Sequence, residues 1–275
     1  MGSTKSIYST YVKPVTERLG IHGKFRDQYW RMKIARHPVE QKTIGDTTVQ
    51  FNITNRTEYA RHRNLGGEGP IIEDLLSELE PDDVVYDIGA NVGTYTCFFS
   101  ECLQPNQVVA FEPHPSNLAS LRSNLELNNT DAIVIERALS DTNGTAELKV
   151  ASQERGEGKH SLATDSEENT ITVELAAGDQ LIESGEIPAP TVLKIDVEGA
   201  EYQVLQGLEQ TLQSDLCRLI YVEIHPKHLD IYDTSPKDVE KLLKGPNYNV
   251  NPLQNQNRSE YFVKAIKQNN IRKNK

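Results

Sequence analysis

The sequence predicts an α/β chain built on a doubly wound, mostly parallel sheet. Three observations carry that expectation. Short apolar runs over residues 84–88, 107–111, 132–136, 191–196 and 219–225 have the length and the Val/Ile content of buried strands. Between most of them lie segments of helical length, over 93–103, 115–128 and 199–212, with a further helix over 236–243. Alternation of this kind builds βαβ units and a sheet covered on both faces. The first strand also runs into a glycine turn, Gly89-Ala90-Asn91-Val92-Gly93, that opens a helix. A strand, a glycine turn and a helix N-terminus form a cradle for a nucleotide-type cofactor.

In chain order, a helix is predicted near 25–36 and a strand near 47–53. Residues 71–79 repeat apolar side chains at helical spacing through Ile71, Ile72, Leu75, Leu76 and Leu79. Pro81-Asp82-Asp83 ends that helix and feeds the first core strand. Residues 145–150 and 170–176 read as an antiparallel pair rich in Thr and Val. The Gly/Ser/Glu-rich stretch 151–169 between them reads as a mobile loop. Residues 248–250 and 261–266 read as a closing antiparallel pair. The expected organisation is an N-terminal extension over 1–64, one catalytic-type domain over 65–267 and a basic tail over 268–275.

With 275 residues, 37% of them hydrophobic, the chain is long enough for one large α/β domain and a short extension. No run of about 18 apolar residues predicts a transmembrane helix. The first eleven residues lack the apolar core of a secretory signal. Cys97, Cys102 and Cys217 are odd in number and form no C-x-x-C pair, so they read as buried, reduced thiols of a cytoplasmic protein. The net charge of −11 argues against nonspecific nucleic-acid binding. Basic residues do gather over 18–36, beside Phe25, Tyr29 and Trp30. They read as the solvated face of an accessory helix, with contact to an anionic substrate carrier or a membrane surface left open.

The cradle favours a particular ligand chemistry. It has no Lys for a P-loop and no third glycine for the pyrophosphate of a dinucleotide. Asp87 at the strand end suits a cationic or amine-bearing ligand, and S-adenosylmethionine carries both a sulfonium and an amino group. Glu112 ends the second strand, 25 positions after Asp87. An acid there, roughly 20 residues past the glycines, binds ribose hydroxyls. That role fits S-adenosylmethionine or NAD. Ligands in such sheets sit at the carboxyl ends of the strands, and two more of those ends are acidic. One reads Lys194-Ile195-Asp196-Val197-Glu198-Gly199-Ala200-Glu201 and the other Glu223-Ile224-His225-Pro226. Carboxylates beside a His suit proton removal from a hydroxyl, or a divalent cation. Glu223 and His225 share a face at strand spacing, as would Asp196 and Glu198 if their strand continues. Glu198 and Glu201 also fit the start of the following helix as dipole-facing acids, and His225 also fits a turn before Pro226.

The segments 86–93, Phe111-Glu112-Pro113, Ala138-Leu139-Ser140-Asp141 and 193–201 together resemble the FkbM-type S-adenosylmethionine-dependent methyltransferases. The resemblance spans roughly 65–265, and Lys-Ile-Asp-Val-Glu-Gly-Ala-Glu is its most specific part. It implies the class I methyltransferase fold: seven strands, the last antiparallel. It implies O-methylation of sugar or polyketide hydroxyls. Carried over by position, Asp87, Gly89, Asn91 and Gly93 line the methionine end of the cofactor and Glu112 takes the ribose. Ser140 and Asp141 lie by the adenine, and Asp196 and Glu198 face the reacting centre. The chain departs from the family at Gly158-Lys159-His160-Ser161-Leu162 and at Ala177-Gly178-Asp179. Lys159 and His160 point to an anionic acceptor such as a uronic acid, or to an exposed loop tip. The expectation is therefore an O-methyltransferase acting on a sugar or glycan, with Asp196, Glu223 and His225 as candidate bases. A Mg²⁺ ion at Asp196 and Glu223 stays open but is not favoured, because only two oxygen ligands can be placed. The rival expectations are a nicotinamide oxidoreductase and a cofactor-binding scaffold without chemistry.

Overall fold

The computed structural model describes residues 22–149, 170–253 and 259–268. The expected mobile loop, with Lys159 and His160, and nearly all of the basic tail lie outside the described residues.

A seven-stranded sheet forms the centre, made of β3 (Val85–Ile88), β4 (Val108–Phe111), β5 (Ile133–Ile135), β9 (Val192–Ile195), β10 (Leu219–Ile224), β11 (Tyr248–Leu253) and β12 (Tyr261–Lys267). Its order is β11-β12-β10-β9-β3-β4-β5. The β3–β4, β4–β5, β3–β9 and β9–β10 pairs are parallel, and β12 is antiparallel to both neighbours. The chain reverses strand order at β3, so a crevice opens there at the carboxyl ends of β3 and β9.

Strand residues alternate between two apolar layers. Tyr86, Ile88, Leu193, Ile195 and Val222 enter one core, and Val85, Val192, Leu219 and Tyr221 the other. On the second face the register sets Asp87 opposite Lys194, and Lys194 opposite Tyr221. Polar residues embedded in a buried strand need partners; Asp87 and Lys194 are each other's, and the Tyr221 hydroxyl donates to Asp74.

The expected single strand near 47–53 is half of a hairpin, β1 (Val39–Ile44) with β2 (Thr47–Asn52). β1 is polar and largely exposed, with alternating exposed and half-buried residues, so no apolar run marked it. Val49 and Phe51 of β2 join the second core. The amides of Gln50 and Asn52 donate to Asn128 and Asn124 of α5 (Pro115–Asn128) at 2.7 and 2.8 Å. Glu58 of α2 (Arg56–Asn64) accepts from Ser120 of α5 at 2.9 Å. The extension thus covers the face of the sheet that carries Asp87, Lys194 and Glu223. Ahead of it, α1 (His22–Arg36) lays Lys33 over the rings of Trp30 and Tyr59.

α3 (Gly69–Ser77) buries Ile71, Ile72 and Leu75, the apolar stripe read from the sequence. The antiparallel pair is β7 (Gly144–Lys149) with β8 (Thr170–Ala177), joined by β6 (Ala138–Ser140). The helix expected over 199–212 is two, α7 (Glu201–Gln206) and α8 (Glu209–Gln213). They part at Gly207, where a Cβ would stand 1.9 Å from the carbonyl oxygen of Ser140. Asp179, at one departure from the family pattern, accepts from the amides of Gln210 and Thr211 and so caps α8. Cys97 and Cys217 are buried, but Cys102 is exposed, at the last turn of α4 (Thr94–Cys102).

Candidate active site

The glycine turn is shaped first by packing. Gly89 has φ +79°, and a Cβ there would come within 1.8 Å of the carbonyl oxygen of Asp196. At Gly93, with φ +84°, a Cβ would meet Leu121 at 2.4 Å. These glycines let β3 and β9 close at their carboxyl ends and let α5 pack under the turn. Asn91 between them is also left-handed, at φ 52°. Its amide donates to Glu112 Oε2 at 2.8 Å. The amide of His114 and the side-chain amide of Asn117 donate to Oε1 at 2.8 and 3.3 Å. Burial drives Glu112 up to about 7, against the pull of these bonds.

Asp87 is fully buried. Thr96 donates to one of its oxygens at 2.6 Å and Lys194 Nζ lies 3.0 Å from the other. The cation that Asp87 was expected to meet in a ligand is here the protein's own lysine. Burial opposes the charge of Lys194, but Asp87 and Asp196 outweigh it and raise its pKa. The lysine also donates to the carbonyl of Gly89 at 3.3 Å and lies over the Tyr95 ring.

β9 ends at Ile195, so strand alternation does not align Asp196 with Glu198. The turn does it instead: Glu198 is left-handed at φ 52°, followed by Gly199 at φ 114°. A Cβ on Gly199 would press on His228 at 2.6 Å. The turn folds against α9 (Pro226–Leu229) and brings both carboxylates to His225. His225 Nε2 lies 3.8 Å from Asp196 Oδ1 and 3.5 Å from Glu198 Oε2. Its Nδ1 is bound at 2.6 Å by Glu201 Oε1, which also accepts from the amide of Gly199 at 2.9 Å. Glu201, read from the sequence as a first-turn acid of α7, does occupy that turn, and it is fully buried as the anchor of His225.

The charges in this rim are crowded. Burial and Asp196 lift Glu198 to about 7. Burial, Asp196 and Glu68 lift Glu223 to about 8. Burial opposes protonation of His225, but the Glu201 hydrogen bond and the surrounding acids push it up to about 10. Glu68 belongs to the extension side of the fold. Burial and the charge of Asp196 raise it. Sequence reasoning passed over Glu68, gave Lys194 no role and read Glu201 only as a first-turn acid. Only the glycine-rich setting of Glu68 and the register of Lys194 could have signalled them. Ser140 and Asp141 close β6, with Ser140 Oγ donating to Asp141 at 3.1 Å, and their backbone packs on Gly207.

A sheet order of β5-β4-β3-β9-β10-β12-β11 with β12 antiparallel, a glycine turn after β3 and an acid after β4 define a methyltransferase of class I. The comparisons carry the identification further. The Methyltransferase FkbM domain matches residues 87–255. The chain is 36% identical over 226 residues to the hexuronic acid methyltransferase AglP of Haloferax volcanii, covering 82% of this chain and 88% of that one. It is 31% identical over 202 residues to the 31-O-demethyl-FK506 methyltransferase FkbM of Streptomyces tacrolimicus, covering 63% and 75%. A crystal structure of methyltransferase FkbM from Methylobacillus flagellatus KT overlays 75% of this chain and 60% of that one, at 14% identity and a TM-score of 0.47. The chain belongs to the FkbM methyltransferase family. Among the described residues no helix is long and apolar enough to cross a membrane.

Proposed function

We propose that the protein moves a methyl group from S-adenosylmethionine to an oxygen of a sugar or glycan acceptor, with an anionic sugar as the preferred class. The observation that carries the reading is the contact of Gly89 with the Asp196 carbonyl, which sets the cofactor turn directly against the acidic rim. The turn fits the cofactor. Asn91 Oδ1 and Thr94 Oγ1 are buried beside it with no hydrogen-bond partner among the described residues. Glu112 keeps lone pairs free for ribose hydroxyls after its three protein bonds. When bound, the cofactor supplies an electrophilic methyl group at its sulfonium.

The chain's own residues do the rest. Gly89, Asn91, Gly93 and Glu112 hold the methionine and ribose parts, Asp87 fixes the turn through Thr96 and Lys194, and Ser140 and Asp141 border the adenine. Asp196 is the group placed to take the proton of an acceptor hydroxyl as oxygen is methylated, and Glu223 and His225, raised to about 8 and about 10, flank it and take that role only where they have lost their own protons. Glu198 faces the acceptor, and Lys159 and His160 are candidates to hold its negative charge. Most of the acceleration would come from holding two reactants in line. The name of the Haloferax relative supports the anionic acceptor.

The test uses methyl-labelled S-adenosylmethionine with uronic-acid-containing and neutral glycans. Label in the acidic glycans supports the reading, and base-stable label marks an ether rather than an ester. Label confined to neutral glycans overturns the anionic preference, and transfer to no glycan overturns the acceptor class. Calorimetry separates the rivals. S-adenosylhomocysteine is expected to bind and raise Tm by several degrees at saturation, and NAD is not. The reverse result would favour the oxidoreductase.

A second expectation concerns pH. Glu112 accepts ribose hydroxyls best when ionised, and free it holds its proton up to about pH 7. Binding therefore releases a proton below that point, and affinity for S-adenosylhomocysteine should rise from about pH 6 to about pH 8 and then level off. Glu112→Gln should bind more weakly and lose that slope. A wild-type affinity flat over the same range would remove Glu112 from the ribose.

A further inference from the structure

We infer that Asp196, Glu198 and His225 form a binding site for one divalent transition-metal ion of the Mn²⁺ or Zn²⁺ kind. One ligand atom from each residue lies within 4.8 Å of the others. The Nε2 distances of 3.5 and 3.8 Å to the two carboxylates are longer than hydrogen bonds. They match the gap a metal fills. Ligands about 2.0–2.2 Å from an ion stand roughly 3–3.5 Å apart at right or tetrahedral angles. The distances from Nε2 lie at or just above that range, so the carboxylates have to draw in around the cation.

The orientation of His225 is an independent sign. The residue is 4% exposed. The carboxylate of Glu201 accepts from Nδ1, so the imidazole proton is fixed on that nitrogen. Nε2 then faces two carboxylates, a grouping that calls for a cation between them, and a metal ion binds there by displacing the proton that Nε2 otherwise carries. A buried carboxylate holding the far nitrogen of a histidine is the arrangement found behind metal-bound imidazoles. His228, its ring stacked on that of His225, sets Nδ1 3.2 Å from the same Glu198 oxygen.

The donor set selects the metal. One imidazole with two carboxylates is softer than the all-oxygen shell that Mg²⁺ or Ca²⁺ takes. Glu223, the partner expected for Asp196 in a Mg²⁺ site, is not part of the cluster. The ion would bind beside the crevice where the acceptor is read to sit, and would add charge to hold its oxygens. The site rests on the geometry of this chain and not on the identity of the acceptor.

The full-length protein, stripped of metal, is titrated with Mn²⁺ alone and followed by the loss of the free-ion EPR signal and by calorimetry. One Mn²⁺ per chain is expected. His225→Ala and Asp196→Asn should each weaken it at least about tenfold, and Glu201→Gln by about 10–100-fold through the orientation of His225. Glu223→Gln should keep wild-type affinity. Circular dichroism checks the fold of each variant, and Asp196→Asn, at a half-buried rim position, serves if His225→Ala does not fold. No saturable binding at millimolar Mn²⁺ would overturn the site. So would binding that survives both Asp196→Asn and His225→Ala. Displacement of Mn²⁺ by equimolar Mg²⁺ would overturn the transition-metal class. The titration needs no acceptor or cofactor, so its failure leaves the methyl-transfer reading standing, and failure of that reading leaves the titration standing.

Discussion

Asp196→Asn is expected to lower turnover by roughly 10²–10⁴, the range for losing a general base, while affinity for S-adenosylhomocysteine changes little. The substitution keeps shape and removes charge. The part of Asp196 that shapes the cofactor turn is its carbonyl against Gly89, which the change leaves alone. Its carboxylate is different. It stands 3.8 Å from both Lys194 Nζ and His225 Nε2 and is 24% exposed, so it is charged surroundings rather than a short bond that hold it. Such a group is free to engage an acceptor. Single-turnover rates with a labelled donor measure the chemical step directly. A near wild-type rate would take Asp196 out of the chemistry. A slow variant then divides by metal. If stripped wild-type enzyme is also slow and Mn²⁺ restores it, Asp196 acts through the cation. If stripped wild-type enzyme keeps full speed, Asp196 takes the proton itself and Mn²⁺ binding is not required for turnover.

The strands and the cofactor turn were legible because their signals are local. Val85–Ile88 and Leu219–Ile224 are apolar but for Asp87 and Glu223, and every residue in them is buried. α5 was legible to its ends, since Pro115 opens it and left-handed Asn129 closes it. The rim residues Asp196, Glu223 and His225 were legible as strand ends in a parallel sheet. What escaped depends on contacts distant in sequence. Lys194 reads as one polar residue in a strand, and only the register against Asp87 makes it half of an ion pair. Glu201 reads as an ordinary first-turn acid until the turn at Glu198 and Gly199 brings His225 onto it. The break at Gly207 follows from the carbonyl of Ser140, 67 positions earlier in the chain. β1 escaped because its polar, exposed pattern carries no apolar period.

Lys194→Met is expected to destabilise the fold by about 3–5 kcal/mol, the cost of breaking a buried ion pair from one side. For a domain of this size that is a fall in Tm of roughly 10 °C. The side chains of Lys194 and Asp87 are 3% and 0% exposed. Removing the lysine leaves the Asp87 carboxylate with only the Thr96 hydroxyl at 2.6 Å to stabilise its charge. Asp87 would then take up a proton or draw in water, and either response disturbs the start of α4 and the turn above it. Loss of the lysine also removes the donor to the Gly89 carbonyl, so cofactor affinity should fall along with stability. The double variant Asp87→Asn with Lys194→Met removes both charges while Asn keeps an acceptor for Thr96. It should recover most of the lost stability, because a buried pair replaced on both sides is often close to neutral. Thermal unfolding of the wild type, both single variants and the double variant forms a complete cycle. A coupling near zero, with Lys194→Met as stable as wild type, would mean the pair does not hold β3 to β9. Recovery of stability without recovery of cofactor binding would separate the two duties of Lys194, since the double variant restores the charge balance but not the bond to Gly89.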